Sequence, residues 1–237
     1  MTTRAVLFDF GGTLYDYASL EAGDRACLVA LARRCGIDAE ESKIRRAHRQ
    51  AMRRVFQTYL PQGYYLHRDL FRDAVVGMLA AFDVTADAAQ LEQHRQAQWA
   101  MHRRDFVLRD GVVDTLQALR ARGLHVGMVS NIDDDQLEHL IDVAGLRPHF
   151  DSLLSSEAAG ACKPAPAIYA EALRRAGCDA GDALFVGDTL AQDIAGANRA
   201  GLCSVLIWHR DDKPPPVDGV APQHVIRHIP ELLSLLD

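Results

Sequence analysis

The feature that most constrains this chain is a recurring pattern, a short apolar run that stops abruptly at small or acidic residues. Residues 4–16, RAVLFDFGGTLYD, show it first: Ala5, Val6, Leu7 and Phe8 end at Asp9, and Gly11-Gly12 and Thr13 follow. Four consecutive apolar residues bounded by a turn signal predict a strand buried on both faces, as in a parallel sheet. LHVGMVSN (Leu124–Asn131), Phe150–Leu154, Ala183–Val186 before Gly187-Asp188, and Cys203–Trp208 supply four further strands. Helical stretches separate them. Val113, Leu116 and Leu119 form a stripe stopped by Gly123. Asp133, with Gln136 three residues on, predicts an N-cap for a helix through Leu137, Leu140 and Ile141 that ends at Gly145. Pro164 suits the first turn of a helix over Ala165–Ala176, and another runs from about Leu190 to Ala200. Ser155–Ala161 and the proline-rich Asp211–Pro216 read as loops, and Ile229–Leu236 as a closing helix. This alternation predicts an α/β fold, a doubly wound parallel sheet of Rossmann-like type.

Residues 17–105 break the pattern. They are rich in Ala, Arg, Gln and Leu, with few β-branched runs and little glycine. Leu28, Leu31 and Cys35 keep helical spacing before Gly36, and Ile44, Ala47, Ala51 and Val55 define a second helix over about Ala39–Tyr59. Its other face carries Lys43, Arg45, Arg46, Arg49, Arg53 and Arg54, which reads as a solvated face. An aromatic loop, Tyr64–His67, precedes helices over about Arg68–Phe82 and Ala86–His102. The expected organisation is an α/β core of residues 1–16 and 106–237, interrupted by an all-α module of residues 17–105.

Composition excludes several classes. A length of 237 residues, 49% of them hydrophobic and 24% charged, is ordinary for a globular chain with one elaborated or two modest domains. A net charge of −6 argues against nucleic acid as a partner. The five cysteines form no CxxC or ligand-like cluster, which points to reduced thiols in a cytoplasmic protein. No stretch reads as a membrane span or signal peptide.

Parallel strands deliver their carboxyl ends to one edge, where open α/β sheets bind ligands. That edge is expected to gather Asp9, Ser130-Asn131, Lys163 and Asp188, with Asp193 five residues beyond Asp188. Two carboxylates with help from a backbone carbonyl suit Mg²⁺, which prefers oxygen ligands. A lysine and a hydroxyl beside them would hold an anionic oxygen. A carboxylate nucleophile completes the means of transferring a phosphoryl group through an acyl phosphate.

At these residues the chain resembles the haloacid dehalogenase superfamily. DFGGT (Asp9–Thr13), VSN (Val129–Asn131), Lys163 in CKP, and GDTLAQD (Gly187–Asp193) follow that family's motifs in order. The helical insert falls where the family carries a C1-type cap, whose cleft-facing residues would set specificity; Tyr59, Tyr64, Tyr65, His67 and Trp99 are the candidate liners. The resemblance implies that Asp9 is the nucleophile and Lys163 the second catalytic residue. It implies phosphate binding by Ser130, Asn131, Lys163, Gly12 and Thr13. The implied metal set is Asp9, the Gly11 carbonyl, Asp188 and Asp193, with Asp193 orienting Lys163 or a metal-bound water. The implied activity is that of a Mg²⁺-dependent phosphatase acting on a small phosphorylated metabolite.

One position departs from the pattern. Most phosphatases of the family carry a general acid–base Asp two residues after the nucleophile, and here that residue is Gly11. His48, His67, His94, His102 and Asp16 are the titratable candidates for a surrogate. Haloacid dehalogenases also lack this Asp, so a carbon–halogen hydrolase is the alternative enzyme. Phosphonoacetaldehyde hydrolases lack it too, and Lys43 would then be the cap's Schiff-base lysine. A weakened member that only binds a phosphorylated ligand or a protein partner is the non-enzymatic alternative.

Overall fold

The computed structural model describes residues 3–210, 217 and 219–236; the loop expected at Asp211–Pro216 lies outside the described residues. The chain divides into two compact units, one of residues 1–16 and 107–237 and the other of residues 17–106.

The first unit is built on a parallel sheet of six strands: β1 (Ala5–Phe8), β2 (His125–Ser130), β3 (Ser152–Ser155), β4 (Ala183–Gly187), β5 (Cys203–Ile207) and β6 (His224–Ile226). Their order across the sheet is β3-β2-β1-β4-β5-β6. All four residues of β1 are buried, as are all five of β4, which explains why both read as unbroken apolar runs. The chain proceeds from β1 toward β2 on one side and from β4 toward β5 on the other. Adjacent strands whose connections diverge leave a crevice at their carboxyl ends, here between β1 and β4. Beneath it, Ala5, Leu7 and Phe185 pack against Ile168, Tyr169, Ala172 and Ala197.

The second unit contains four helices, α1 (Ala18–Arg34), α2 (Glu41–Tyr59), α3 (His67–Ala80) and α4 (Ala88–Asp105). Leu28, Leu31, Ile44, Ala47, Val75, Met78 and Leu79 form its core. Gly23 lets α1 approach α4 closely, since a Cβ there would lie 2.3 Å from Met101 Cγ. Asp87 and Gln90 close a capping box at the start of α4.

Helices α5 (Val112–Ala121), α6 (Asp134–Val143), α7 (Ser156–Ala159), α8 (Pro166–Ala176) and α9 (Ala195–Ala200) return to the first unit. Several expectations change in detail. Asp133 precedes α6, but its side chain makes no capping hydrogen bond. Part of the expected loop at 155–161 is α7, capped by the Ser155 hydroxyl. Pro166, rather than Pro164, occupies the first turn of α8. Leu190–Ile194 is a π-helical turn that precedes α9, and Ile229–Leu235 is 3₁₀ rather than α-helical. Strand β6 is an addition; two of its three residues are exposed, so it lacks the apolar signature of the others.

Candidate active site

Asp9 follows β1 directly, and its amide continues the sheet ladder by donating to the Val186 carbonyl at 2.9 Å. The carboxylate is buried, with 6% of the residue exposed. Ser130, the last residue of β2, donates to Asp9 Oδ1 at 3.2 Å, and Thr13 donates to Oδ2 at 3.1 Å. Lys163 reaches the same point from the segment between α7 and α8. Its ammonium donates to Asp9 Oδ1 and to Asp193 Oδ1, both at 2.6 Å. Burial alone would lower the Lys163 pKa, but Asp193 and Asp9 outweigh it and hold the group well above its ordinary value. Lys163 is therefore a fixed cation near neutral pH, suited to stabilising negative charge and unsuited to acting as a base or amine nucleophile.

Asp188 follows β4, and Thr189 Oγ1 donates to its Oδ1 at 3.1 Å. Asp193 lies in the π-helical turn, a distortion that recurs at functional sites. The turn brings its Oδ2 within 2.9 Å of the Thr189 amide. Gly187 makes room for this side chain, since a Cβ there would lie 2.4 Å from Asp193 Cβ. Oxygens of Asp9, Asp188 and Asp193 all lie within 4.8 Å of one another. Burial first, and then Asp9 and Asp193, push Asp188 up to about 7. Burial likewise pushes Asp193 up to about 6, against the pull of Lys163. Lys163 pairs with Asp9 and Asp193, and the half-buried Asp188 beside them has no cation of its own in the cluster, so the three carboxylates outnumber the one ammonium. A hard divalent cation with oxygen ligands fits that donor set.

The remaining expected residues occupy distinct places. Gly12 has φ +82°, and Asp188 Oδ2 would lie 2.2 Å from a Cβ at this position. The need for glycine thus extends beyond the turn, because the Asp188 carboxylate rests on residue 12. Gly11 lies in the same loop, in a bridge to Tyr15. Asn131 is spent on positioning. Its Oδ1 accepts from the Lys163 amide at 2.6 Å, and its Nδ2 donates to the Lys163 carbonyl at 3.0 Å and to Gln192 Oε1 at 3.2 Å.

Three further residues support the site. Tyr169 donates to the Gln192 carbonyl at 2.8 Å from α8 and so steadies the π turn, with Gly196 admitting its hydroxyl. Gln192 holds Asn131. Arg109 donates to the Gly12 carbonyl. Tyr169 looks like an ordinary core aromatic in the sequence, and Gln192 and Arg109 carry no local pattern that marks them.

His67, His94 and His102 are buried in the helical unit, and Asp16 is bound by Arg109 Nη1 at 3.3 Å. Among the aromatic candidates, Tyr65 is buried against Tyr59 and His67, with ring centroids 5.6 and 4.9 Å away. Tyr59 donates to Asp73 at 2.6 Å.

The haloacid dehalogenase-like hydrolase family matches residues 3–201. Human haloacid dehalogenase-like hydrolase domain-containing protein 3 is 33% identical over 87% of this chain and 84% of its own length. Glyceraldehyde 3-phosphate phosphatase of Methanopyrus kandleri is 30% identical over 98% of this chain and 97% of its own. A solved 2-haloacid dehalogenase from Pseudomonas syringae superposes with a TM-score of 0.74 at 25% identity, covering 100% of both chains. The chain belongs to the haloacid dehalogenase-like hydrolases.

Proposed function

We propose that this hydrolase is a Mg²⁺-dependent phosphatase of small phosphorylated metabolites that works through a phosphoryl group carried on Asp9. The observation that carries the reading is the cluster of Asp9, Asp188 and Asp193, whose excess negative charge suits a divalent cation. A dehalogenase that attacks carbon without a metal has no use for two further carboxylates beside its nucleophile. The phosphatase name of the Methanopyrus kandleri relative supports the same choice.

In this reading Asp9, Asp188 and the Gly11 carbonyl would hold the metal, and Asp193 would complete the set while it orients Lys163. When bound, Mg²⁺ neutralises phosphoryl oxygens and the charge that develops on them. Lys163 and Ser130, which donate to Asp9, would donate to the transferring oxygens once substrate enters. Asp9 forms a bond to phosphorus as the bond to the leaving oxygen breaks, and that oxygen takes the electron pair. Water then attacks phosphorus, the bond to Asp9 breaks with its electron pair returning to the carboxylate, and the protons of the water pass to the departing phosphate and, through solvent, to the departed oxygen. Thr13 keeps the Asp9 carboxylate oriented in both steps. Residue 11 has no side chain to protonate the leaving oxygen, a contribution typically worth about 10²–10⁴-fold. Substrates with weakly basic leaving groups, acyl phosphates among them, are accordingly favoured. The helical unit is assigned the role of a cap.

A parallel assay of phosphate and halide release tests this choice. Phosphate esters and acyl phosphates should release phosphate in the presence of Mg²⁺, while 2-haloacids should release no halide. Halide release without phosphate release would establish the dehalogenase reading instead.

A further inference from the structure

We propose that Arg109 is a positioning residue that aims the nucleophile loop at the transferring phosphoryl group; its kinetic consequence rests on the phosphatase reading, and its effect on anion binding does not. Arg109 stands at the start of the second chain segment of the α/β unit, far in sequence from the loop it contacts. Its Nε and Nη2 both donate to the Gly12 carbonyl, at 3.2 and 2.9 Å, and Nη1 pairs with Asp16 at 3.3 Å. The backbone makes the same connection, since the Arg109 amide donates to the Leu14 carbonyl at 2.9 Å and Leu108 bridges Tyr15. The side chain is only 18% exposed.

The consequence follows from the planarity of the peptide. The Gly12–Thr13 bond is trans, so its C=O and N–H point in opposite directions. Clamping the Gly12 carbonyl therefore fixes the direction of the Thr13 amide. Thr13 is fully buried, and its amide finds no backbone acceptor among the described residues. A buried N–H without an acceptor is rare and suits an incoming anion. The guanidinium also polarises the shared peptide, which strengthens the Thr13 N–H as a donor. The Asp188 carboxylate packs where a side chain of residue 12 would be. Residue 12 thus has its carbonyl bound by an arginine and its α-carbon against a candidate metal ligand.

Arg109→Met tests the proposal, with Arg109→Lys as the milder variant that retains one donor and stays informative if the Met variant fails to fold. Arg120 provides a matched control, because its guanidinium also binds a carbonyl (Pro148, 2.6 Å) and an aspartate (Asp151, 3.0 Å). With p-nitrophenyl phosphate, kcat should fall about 10- to 100-fold in Arg109→Met, in line with small misplacements at active sites. KM should change less, and added methylguanidinium should restore part of the rate. Inorganic phosphate, titrated calorimetrically, should bind about tenfold more weakly to the variant, and Arg120→Met should match wild type. Unchanged kcat and phosphate affinity in a folded Arg109 variant would overturn the proposal. So would an equal loss in Arg120→Met. If wild type hydrolysed no phosphate ester, the phosphatase reading would fall, and the phosphate affinities would still decide the role of Arg109.

Discussion

Asp188 can sit beside Asp9 only because residue 12 lacks a side chain. Gly12→Ala would place a Cβ 2.2 Å from the Asp188 carboxylate, on a backbone at φ +82° that L-residues avoid. The left-handed conformation costs roughly 1–2 kcal/mol for a non-glycine residue, before any displacement of Asp188. The variant should therefore show a lower urea midpoint and at least about tenfold lower kcat, since under the proposed function the displaced carboxylate is a metal ligand. A variant with wild-type kcat would show that Asp188 does not need its present position. The sequence shows why such sites are partly legible at this scale. Asp9, Ser130 and Asp188 can be located because each ends a buried strand, and strand ends converge. Arg109, Gln192 and Tyr169 cannot, because their contacts join segments that only the folded chain brings together. Asn131 lies where expected, yet its amide is committed to the Lys163 backbone, and no motif distinguishes a residue that touches substrate from one that aims its neighbour.

Among the elements, the buried strands were the clearest to read, and the exceptions have physical causes. Strand β6 has three residues at the sheet edge with two of them exposed, so no apolar run announces it. The π turn at 190–194 keeps enough helical spacing to pass for the first turn of α9. In the helical unit, α4 carries a testable titration. His94 is buried, its Nδ1 lacks a partner among the described residues, and burial, followed by Arg34, lowers its pKa to about 4. The folded state therefore keeps this ring neutral where the unfolded chain would protonate it. Unfolded molecules bind more protons between about pH 6.5 and pH 4, so the contribution is complete above that window and is lost as pH falls through it. At about 1.4 kcal/mol per pKa unit, the upper bound is about 3 kcal/mol. His48 is shifted the same way by burial and Arg49. Thermal melts across this range should show the stability difference between wild type and His94→Gln shrinking toward low pH. A difference independent of pH would mean that His94 is not buried as a neutral ring.

For the whole molecule, the α/β unit and the helical unit have separate cores. The charge balance of the sheet edge connects fold to chemistry: the segments after β1 and β4 and the one between α7 and α8 bring three carboxylates and one ammonium together. No helix among the described residues is long and apolar enough to cross a membrane. The central claim is that this point is a metal-dependent phosphoryl-transfer centre with Asp9 as nucleophile. Phosphate release from a phosphate ester, by wild type and Asp9→Asn, with Mg²⁺ and with EDTA, tests it most directly. The account predicts release by wild type that EDTA abolishes, and a loss of about 10³-fold or more in Asp9→Asn. Release that survives EDTA, or an Asp9→Asn variant as active as wild type, would contradict it.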